Sequence, residues 1–432
     1  MKILIIGGTG ETGRWFAGFF KKLGFEVVVW GINGRKDIAR ELKVQFADDL
    51  DREIKNSNIV MISVPINMTE KTIENIAQKM SRRSLLMDIT SIKAAPVEAM
   101  IKYAPPDVEI LGTHPMFGPS IPDIRGQTVI LTPVDGRSSR WLPIIRELYE
   151  DNGAHIEIMG PIQHDRMMAV IQGLTHFALI SIGSAFRELE FDVAASRRFM
   201  SPMYDITLDL VGRILAQNPY LYAMIQINPE VEKMHDAYIG QCKLMADIVR
   251  RKDIEGFVNL MKKASVHFGD TESALRRSEK LISTKIAEHE ELVRSIGHER
   301  ALKHIYSGVV HFGVVKKVTA RTVLVERNNK ATELQIENVR LLHEPEFHAW
   351  KAANLRNSKR DISVFIPEGG DPETIRTVIR SQGVVSVKII DIYRKLDSTG
   401  VTYRITIFGD HDAAAVQKEI EALLKGIGCK IR

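Results

Sequence analysis

The stretch GGTGETG, residues 7–13, decides the fold of the N-terminal region because it joins two segments of different periodicity. The segment before it, MKILII, has the composition of a buried strand, and the segment after it, RWFAGFFKKL, repeats apolar residues at helical spacing. Gly8, Gly10 and Gly13 fit the pattern GxGxxG, which permits a tight turn, close approach of a pyrophosphate and close packing of helix on strand. The stretch therefore predicts a dinucleotide-binding loop that presents the free N–H groups of a helix N-terminus to an anion. A glycine-rich turn without a ligand is the alternative.

The composition limits the class of protein. A chain of 432 residues is expected to form two or three domains, and 44% hydrophobic with 26% charged residues is typical of a soluble globular protein. The net charge of +5 is spread along the chain, which argues against a nucleic-acid partner. Cys242 and Cys429 lie far apart and predict no disulfide framework. No signal peptide or membrane span is expected, so the sequence predicts a cytoplasmic protein without a membrane partner.

The periodicity along the chain predicts four regions. In residues 1–160, short apolar strands alternate with helical segments, as in βαβ units on a parallel sheet. Residues 161–300 show long amphipathic helices of the kind that pack on each other or on a second subunit. Residues 305–345 are a small β-rich segment without an assigned role, and residues 360–432 follow the order βαββαβ. The predicted fold class is α/β, with an N-terminal Rossmann domain, an all-α domain, the β segment and a ferredoxin-like C-terminal domain.

Several strand ends are expected to meet at one edge of the N-terminal sheet. The stretch GTHPMFGP places His114 directly after a strand, and MDITSIK places Ser91 at the end of the preceding one. Pro65 and Ile66 follow another strand in SVPINMTE. Open α/β sheets bind ligands at the carboxyl ends of their strands. A lone histidine is more often a packing residue than a catalyst, so the hypothesis of a catalytic His114 depends on this convergence.

The end of the second strand bears on the choice of dinucleotide. The strand EVVVW runs into GINGRK with no carboxylate before Asp37 to hold the ribose hydroxyls of NAD. Asn33, Arg35 and Lys36 offer donors and positive charge to the additional phosphate of NADP, so NADP is favoured over NAD. An ordinary solvated turn is the alternative for Arg35 and Lys36. The candidate cofactor contacts are Gly8, Thr9, Gly10, Glu11, Thr12, Gly13, Asn33, Arg35, Lys36, Pro65 and Ile66.

Five motifs, in this order, resemble those of the prephenate and arogenate dehydrogenases of tyrosine biosynthesis, in particular the archaeal form. They are GGTGETG, DITSIK, THPMFGP, QGLTHFA and GRILAQNPYLYA, and the resemblance covers roughly residues 1 to 300. The resemblance implies oxidative decarboxylation of prephenate to 4-hydroxyphenylpyruvate, or of arogenate, with NADP or NAD as cofactor. It also implies that the helical domain contacts the substrate and forms a homodimer.

The same resemblance implies roles for four residues. His114 corresponds to the catalytic histidine, and Ser91 to a serine that hydrogen-bonds near the reacting hydroxyl. His176 corresponds to a substrate-pocket histidine, and Arg213 to an arginine that clamps a substrate carboxylate. Without the resemblance, Arg213 is more simply an exposed helix-surface residue and His176 a buried structural histidine. A neutral imidazole suits removal of a hydroxyl proton, and a guanidinium can hold a carboxylate through two parallel hydrogen bonds.

The last region resembles an ACT domain, a small-molecule regulatory module. Gly369 and Gly370 correspond to the loop where such modules commonly receive an amino acid, which makes tyrosine or phenylalanine the expected effector. The loop PEGGDP is longer than the usual turn. A packing or dimerisation module without an effector is the alternative.

Two other functions agree with parts of the sequence. The glycine-rich opening with a basic second-strand turn also resembles deazaflavin-dependent NADP reductases, which lack the long helical domain. A non-enzymatic sensor of NADP and an amino acid would leave the motif THPMFGP without a role, and no basic helix-turn-helix is evident. No metal site is predicted, because four C-terminal histidines lack a compact ligand pattern; they are His304, His311, His343 and His348.

Overall fold

The computed structural model describes residues 1–199, 201–305, 307–367, 369–395 and 398–432. The chain forms two compact units, Met1–Gly269 and Asp270–Arg432.

An eight-stranded sheet with the order β3-β2-β1-β4-β5-β6-β7-β8 forms the centre of the nucleotide-binding part of the first unit. The strands are β1 (Lys2–Ile6), β2 (Glu26–Trp30), β3 (Gln45–Phe46), β4 (Ile59–Ile62), β5 (Leu85–Asp88), β6 (Glu109–Pro115), β7 (Thr128–Pro133) and β8 (His155–Ile158). The helices are α1 (Glu11–Lys22), α2 (Lys36–Leu42), α3 (Leu50–Asn56), α4 (Ile66–Ile76), α5 (Ala94–Tyr103) and α6 (Trp141–Asp151). The strand order reverses between β1 and β4, which places the ligand crevice of such a sheet beside these strands.

The prediction of a parallel sheet is correct for the strands from β3 to β6 in the sheet order, but β7 and β8 run in the opposite direction. β6 and β7 are antiparallel, because residues 116–127 connect them without a crossover helix. β8 then pairs in parallel with β7. The sequence did not predict β3 and β8, because both are short and largely exposed and so lack an apolar run.

Alternate residues of the central strands face two separate cores, one on each side of the sheet. Ile3 and Ile5 pack with Phe16 of α1 on one face. Leu4 packs with Met100 of α5 on the other. The strands are apolar on both faces because helices cover both faces.

Helices alone make up the rest of the described first unit. α7 (Pro161–Met168) continues through a π-helical segment (Ala169–Leu174) into α8 (Thr175–Glu188), and α9 (Val193–Ser196), α10 (Pro202–Leu215), α11 (Pro219–Gln226), α12 (Pro229–Arg250) and α13 (Ile254–Phe268) follow. The all-α prediction is confirmed for these residues. The continuous helix Pro161–Glu188 has the length and hydropathy of a membrane span, whereas no membrane span is expected from the sequence. Core helices of soluble proteins can have the same length and hydropathy, although little of this apolar stretch is buried within the chain.

The second unit contains two antiparallel sheets. α14 (Thr271–Arg294) precedes a five-stranded sheet of order β12-β11-β10-β9-β13, made of β9 (Glu299–His304), β10 (Val310–Val318), β11 (Thr322–Arg327), β12 (Lys330–Gln335) and β13 (Val339–Leu341). After α15 (Glu344–Asn354), the chain forms β14 (Ser358–Ile366), α16 (Pro372–Arg380), β15 (Ser386–Lys395), β16 (Ser398–Ile407), α17 (Ala413–Gly426) and β17 (Lys430–Ile431). The sheet order β15-β16-β14-β17 confirms the predicted βαββαβ arrangement.

Candidate active site

The loop between β1 and α1 keeps side chains out of the crevice. Gly7 has a φ of 84°, and a Cβ on it would lie 2.1 Å from the carbonyl oxygen of Ser63. A Cβ on Gly8 would lie 2.7 Å from Val29, and one on Gly13 would lie 2.3 Å from the carbonyl oxygen of Gly7. The first amides of α1 have no partner within the helix, so the loop fits the pyrophosphate of a dinucleotide. The residue of this loop with a positive φ is Gly7, which lies outside the GxGxxG pattern because that pattern starts at Gly8.

The turn after β2 carries the predicted NADP contacts on an exposed surface. Arg35 pairs with Asp37 at 2.8 Å, and Lys36 pairs with Asp48. These carboxylates offset part of the positive charge that an additional phosphate would meet. The preference for NADP therefore stays a prediction that also depends on the exposed amide of Asn33.

Two further cofactor candidates lie at the end of β4, next to the reversal of strand order. Pro65 is the N-cap of α4 and Ile66 is the first residue of that helix. The backbone before them lies against the glycine loop, since a Cβ on Gly7 would lie 2.1 Å from the carbonyl oxygen of Ser63. This end of α4 is thus placed beside the dinucleotide crevice.

His114 lies inside β6, opposite Ile130 of β7, and not directly after the strand as the sequence suggested. Its ring is buried, with 2% of the residue exposed. Its Nδ1 atom lies 2.8 Å from Nε2 of His164, on α7. Its Nε2 atom lies 3.4 Å from the side-chain nitrogen of Gln172, in the π-helical segment. Both ring nitrogens therefore face the helical part of the unit.

His164 and Asp165 connect His114 to the nucleotide-binding part. The Nδ1 atom of His164 lies 2.8 Å from Oδ1 of Asp165. The same carboxylate accepts the backbone N–H groups of Lys93 at 2.7 Å and Ala94 at 2.9 Å. Sequence reasoning missed both residues because they lie about fifty positions from His114. The only signal was a His-Asp pair at the start of an apolar helix.

Burial sets the protonation of the two rings. Removal from water lowers the pKa of His114 well below its ordinary value of 6.5, and the nearby charge of Lys93 acts in the same direction. Burial also lowers the pKa of His164, although Asp165 opposes the shift. Both imidazoles are therefore neutral at neutral pH, as a proton acceptor must be.

A buried ion pair shapes the loop that carries Ser91. The ammonium of Lys93 pairs with Asp88 and donates to the carbonyl of Thr113 at 2.8 Å, and the side chains of both ions are fully buried. β5 ends at Asp88, so the half-buried Ser91 lies three residues beyond the strand and not at its end. Because β5 and β6 are neighbours, Ser91 and His114 lie at the same edge of the sheet.

His176 follows Gln172 by one helical turn, so both extend from the same side of the helix. The ring of His176 packs edge-on against Tyr222 with 4.7 Å between centroids. Burial lowers the pKa of His176, and the charge of Arg213 limits the rise in pKa that burial causes in Tyr222. His176, Tyr222 and Arg213 therefore form one neighbourhood, with the exposed guanidinium at its outer side.

This neighbourhood contains polar atoms that the described residues leave unpaired. The Nδ1 atom of His176 and the Oε1 atom of Gln172 are buried without a hydrogen-bond partner among the described residues. Buried polar atoms are usually paired, so such atoms beside a buried histidine indicate a place where a bound molecule completes the hydrogen bonding.

The predicted effector position lies in the second unit, in the loop between β14 and α16. Gly369 has a φ of 77°, and the amide of Gly370 donates to the carbonyl of Pro367 at 2.9 Å. The amino-acid ligand stays a prediction.

Comparisons with known proteins agree with this geometry. Residues 16–158 match the family model of the nucleotide-binding domain of prephenate dehydrogenase, and residues 160–263 match that of its dimerization domain. A Methanocaldococcus jannaschii protein named "Probable arogenate/prephenate dehydrogenase" is 38% identical, over 100% of this chain and 98% of its own length. The T-protein of Haemophilus influenzae is 32% identical, over 65% of this chain and 71% of its own length.

Among solved structures, one similar fold is the crystal structure of prephenate dehydrogenase from A. aeolicus in complex with hydroxyphenyl propionate and NAD+. The TM-score is 0.51 at 19% identity, over 62% of this chain and 96% of that chain. The M. jannaschii relative, by contrast, also shares the second unit of this chain.

Proposed function

The chain belongs to the prephenate dehydrogenase family of NAD(P)-dependent oxidoreductases, and from that premise we propose that it converts prephenate to 4-hydroxyphenylpyruvate and CO₂, with NADP preferred, in tyrosine biosynthesis. The observation that carries the proposal is His114, a buried neutral imidazole whose Nε2 faces the unpaired polar groups of the helical part. Arogenate is the second candidate substrate, because the M. jannaschii relative carries both substrates in its name.

The reaction needs one proton acceptor and a held substrate. A dinucleotide held by the glycine loop and α1 would supply the hydride acceptor for the ring carbon that bears the hydroxyl. His114 Nε2 takes the proton of that hydroxyl as the carbonyl forms. The opposite carbon then loses its carboxylate as CO₂, and the bonding electrons make the ring aromatic and leave a phenolate. The imidazolium of His114 returns its proton to this oxygen, so no net proton is consumed.

The polar groups around His114 have separate binding roles in this proposal. Arg213 pairs with a carboxylate of the substrate, since its guanidinium is exposed beside the site. Gln172 and His176 supply the buried unpaired atoms that bind the substrate's remaining oxygens. Ser91 acts on the reacting hydroxyl from the loop that follows the neighbouring strand β5.

The glycine loop and α1 hold the pyrophosphate, and Asn33, Arg35 and Lys36 receive the additional phosphate of NADP. Support for NADP comes from the lack of a carboxylate between β2 and Asp37.

Further proposals concern assembly and regulation. Residues 160–263 match a dimerization domain, and this region exposes large apolar side chains such as Phe199, Met203 and Tyr220, which supports a homodimer. Both cysteines are free, in agreement with a cytoplasmic location. We further propose that tyrosine or phenylalanine binds at Gly369 and Gly370 and lowers the rate.

Absorbance of reduced nicotinamide tests the activity directly. The purified protein is assayed with prephenate or arogenate and with NADP or NAD, and tyrosine or phenylalanine is then added. We expect the fastest rise with prephenate and NADP. A flat trace with all four combinations would refute the proposed function, and an unchanged rate with both amino acids would refute the effector.

A substitution tests the assigned base. His114→Asn is expected to lower kcat by about 100-fold to 10,000-fold and to leave the Kd for NADP unchanged, because the ring acts on the substrate. His155→Asn, at an exposed histidine of the same sheet, is the matched control. A variant His114→Asn with the kcat of the control would remove His114 from the mechanism.

A further inference from the structure

We propose that His164 and Asp165 are positioning residues that fix the tautomer of His114, so that its Nε2 always carries the free electron pair. The three residues form a hydrogen-bonded relay from carboxylate to imidazole to imidazole, with 2.8 Å at each step. The use of that electron pair as a base rests on the proposed function, whereas the tautomer is a property of the folded chain.

The relay has a direction because a carboxylate only accepts hydrogen bonds. Asp165 accepts two backbone N–H groups, so it is held as an acceptor on the side of His164 as well. The proton of His164 must therefore be on Nδ1, which leaves Nε2 of that ring as an acceptor. His114 must then donate from its Nδ1, and its Nε2 has no proton.

The contact on the other side of His114 agrees with this assignment. The side-chain nitrogen of Gln172, which can only donate, lies 3.4 Å from Nε2 of His114. A donor on that side requires an electron pair on the ring nitrogen. The contact is long, so a substrate hydroxyl can displace it. The π-helical segment places Gln172 here, which agrees with the frequent occurrence of π-bulges at functional sites.

The relay also stabilises the protonated base. When Nε2 of His114 gains a proton, its Nδ1–H bond to His164 becomes charge-assisted, and the carboxylate of Asp165 is one residue further along. The charged groups that face this pair are Lys93 and Asp88, which form their own ion pair. Lys93 acts against the imidazolium of His114, whereas Asp165 supplies favourable negative charge through His164.

Two variants of His164 separate the relay from simple packing. His164→Phe keeps a ring but has no acceptor, and His164→Gln keeps an oxygen that can accept from His114. We expect His164→Phe to lower kcat with little change in KM. The loss should be about tenfold if the His114 ring only becomes loosely held, and up to about 10,000-fold if it takes the wrong tautomer. His164→Gln should recover part of the loss. Tyr149→Phe, which removes a buried hydroxyl of α6, is the control for a substitution of a buried ring away from the relay.

The pH profile gives a second readout of the same relay. Without the acceptor, the imidazolium of His114 is less stable, so the acidic limb of kcat/KM should move to lower pH in His164→Phe. A purely structural role predicts a lower Tm and weaker NADP binding with an unmoved limb. That result, or a kcat of His164→Phe equal to that of Tyr149→Phe, would overturn the relay.

Nitrogen NMR of histidine-labelled protein tests the tautomers without any substrate. The relay predicts that both rings have a proton on Nδ1 and none on Nε2, with resonances assigned from the His114→Asn and His164→Phe spectra. A proton on Nε2 of either ring would refute the proposal. Because this measurement needs no turnover, it distinguishes a failed relay from a failed assignment of the substrate.

Discussion

Replacement of Lys93 by methionine removes the cation of a fully buried ion pair. The side chain of Lys93 and that of Asp88 have no exposed surface. The ammonium also donates to the carbonyl oxygen of Thr113 at 2.8 Å and to the hydroxyl of Thr90 at 3.3 Å. The carboxylate keeps only Thr90 as a donor after the substitution, and its Oδ1 atom already has no partner among the described residues.

The expected cost follows from the charge that stays behind. Removing one partner of a buried pair leaves an uncompensated ion and destabilises a protein by about 3–5 kcal/mol. Methionine has a similar length, so a cavity adds little. For a unit of this size, each kcal/mol lowers Tm by about 2–4 °C, so Lys93→Met should lose roughly 6–20 °C. The loss is a large fraction of the total of about 5–15 kcal/mol that holds a typical domain folded.

Thermal unfolding followed by circular dichroism measures this loss. The control is Lys79→Met, which breaks an exposed pair with Asp51 of 2.7 Å and should change stability by less than about 1 kcal/mol. The double variant Lys93→Met with Asp88→Asn removes the stranded charge and should recover at least half of the loss. If Lys93→Met is as stable as Lys79→Met, the ion pair does not hold the loop.

Three further outcomes follow from the site. Arg213→Ala should raise KM for prephenate at least tenfold and leave KM for NADP unchanged, since only the substrate offers it a carboxylate; a parallel rise in both constants would contradict the assignment. The double variant Arg35→Ala with Lys36→Ala should weaken NADP binding about tenfold and NAD binding little, and equal effects in titrations of both cofactors would show a solvated turn. The buried rings of His114 and His164 have lowered pKa values, so the unfolded chain binds more protons than the folded chain below pH 6.5. The unfolding free energy should therefore decrease as the pH is lowered, by about 1.4 kcal/mol per pH unit for each proton. Denaturant titrations from pH 7 to pH 5 check this, and a constant free energy would show that the rings are not held neutral.

Most of the sheet could be predicted from the sequence, because its central strands are continuous apolar runs that helices bury on both faces. The direction of β7 could not be predicted. An antiparallel neighbour requires only a loop in place of a helix, and residues 116–127 contain no pattern that decides the direction of the strand. The glycine loop was recognised from its spacing. The exact turn was missed, since the close approach of Gly7, which has a positive φ, to Ser63 after β4 is a tertiary contact.

The sequence by itself determined the order of the elements, the family resemblance and the identity of His114 as a candidate base. These features depend on local periodicity and on short motifs, which the chain carries wherever it folds. Only the tertiary structure decided what that histidine is able to do. His164, Asp165 and Gln172 come from a helix about fifty residues away, and their contacts with one ring set its proton and its burial. Hydrogen-bond direction and desolvation belong to atoms in space, and no spacing along the chain encodes them.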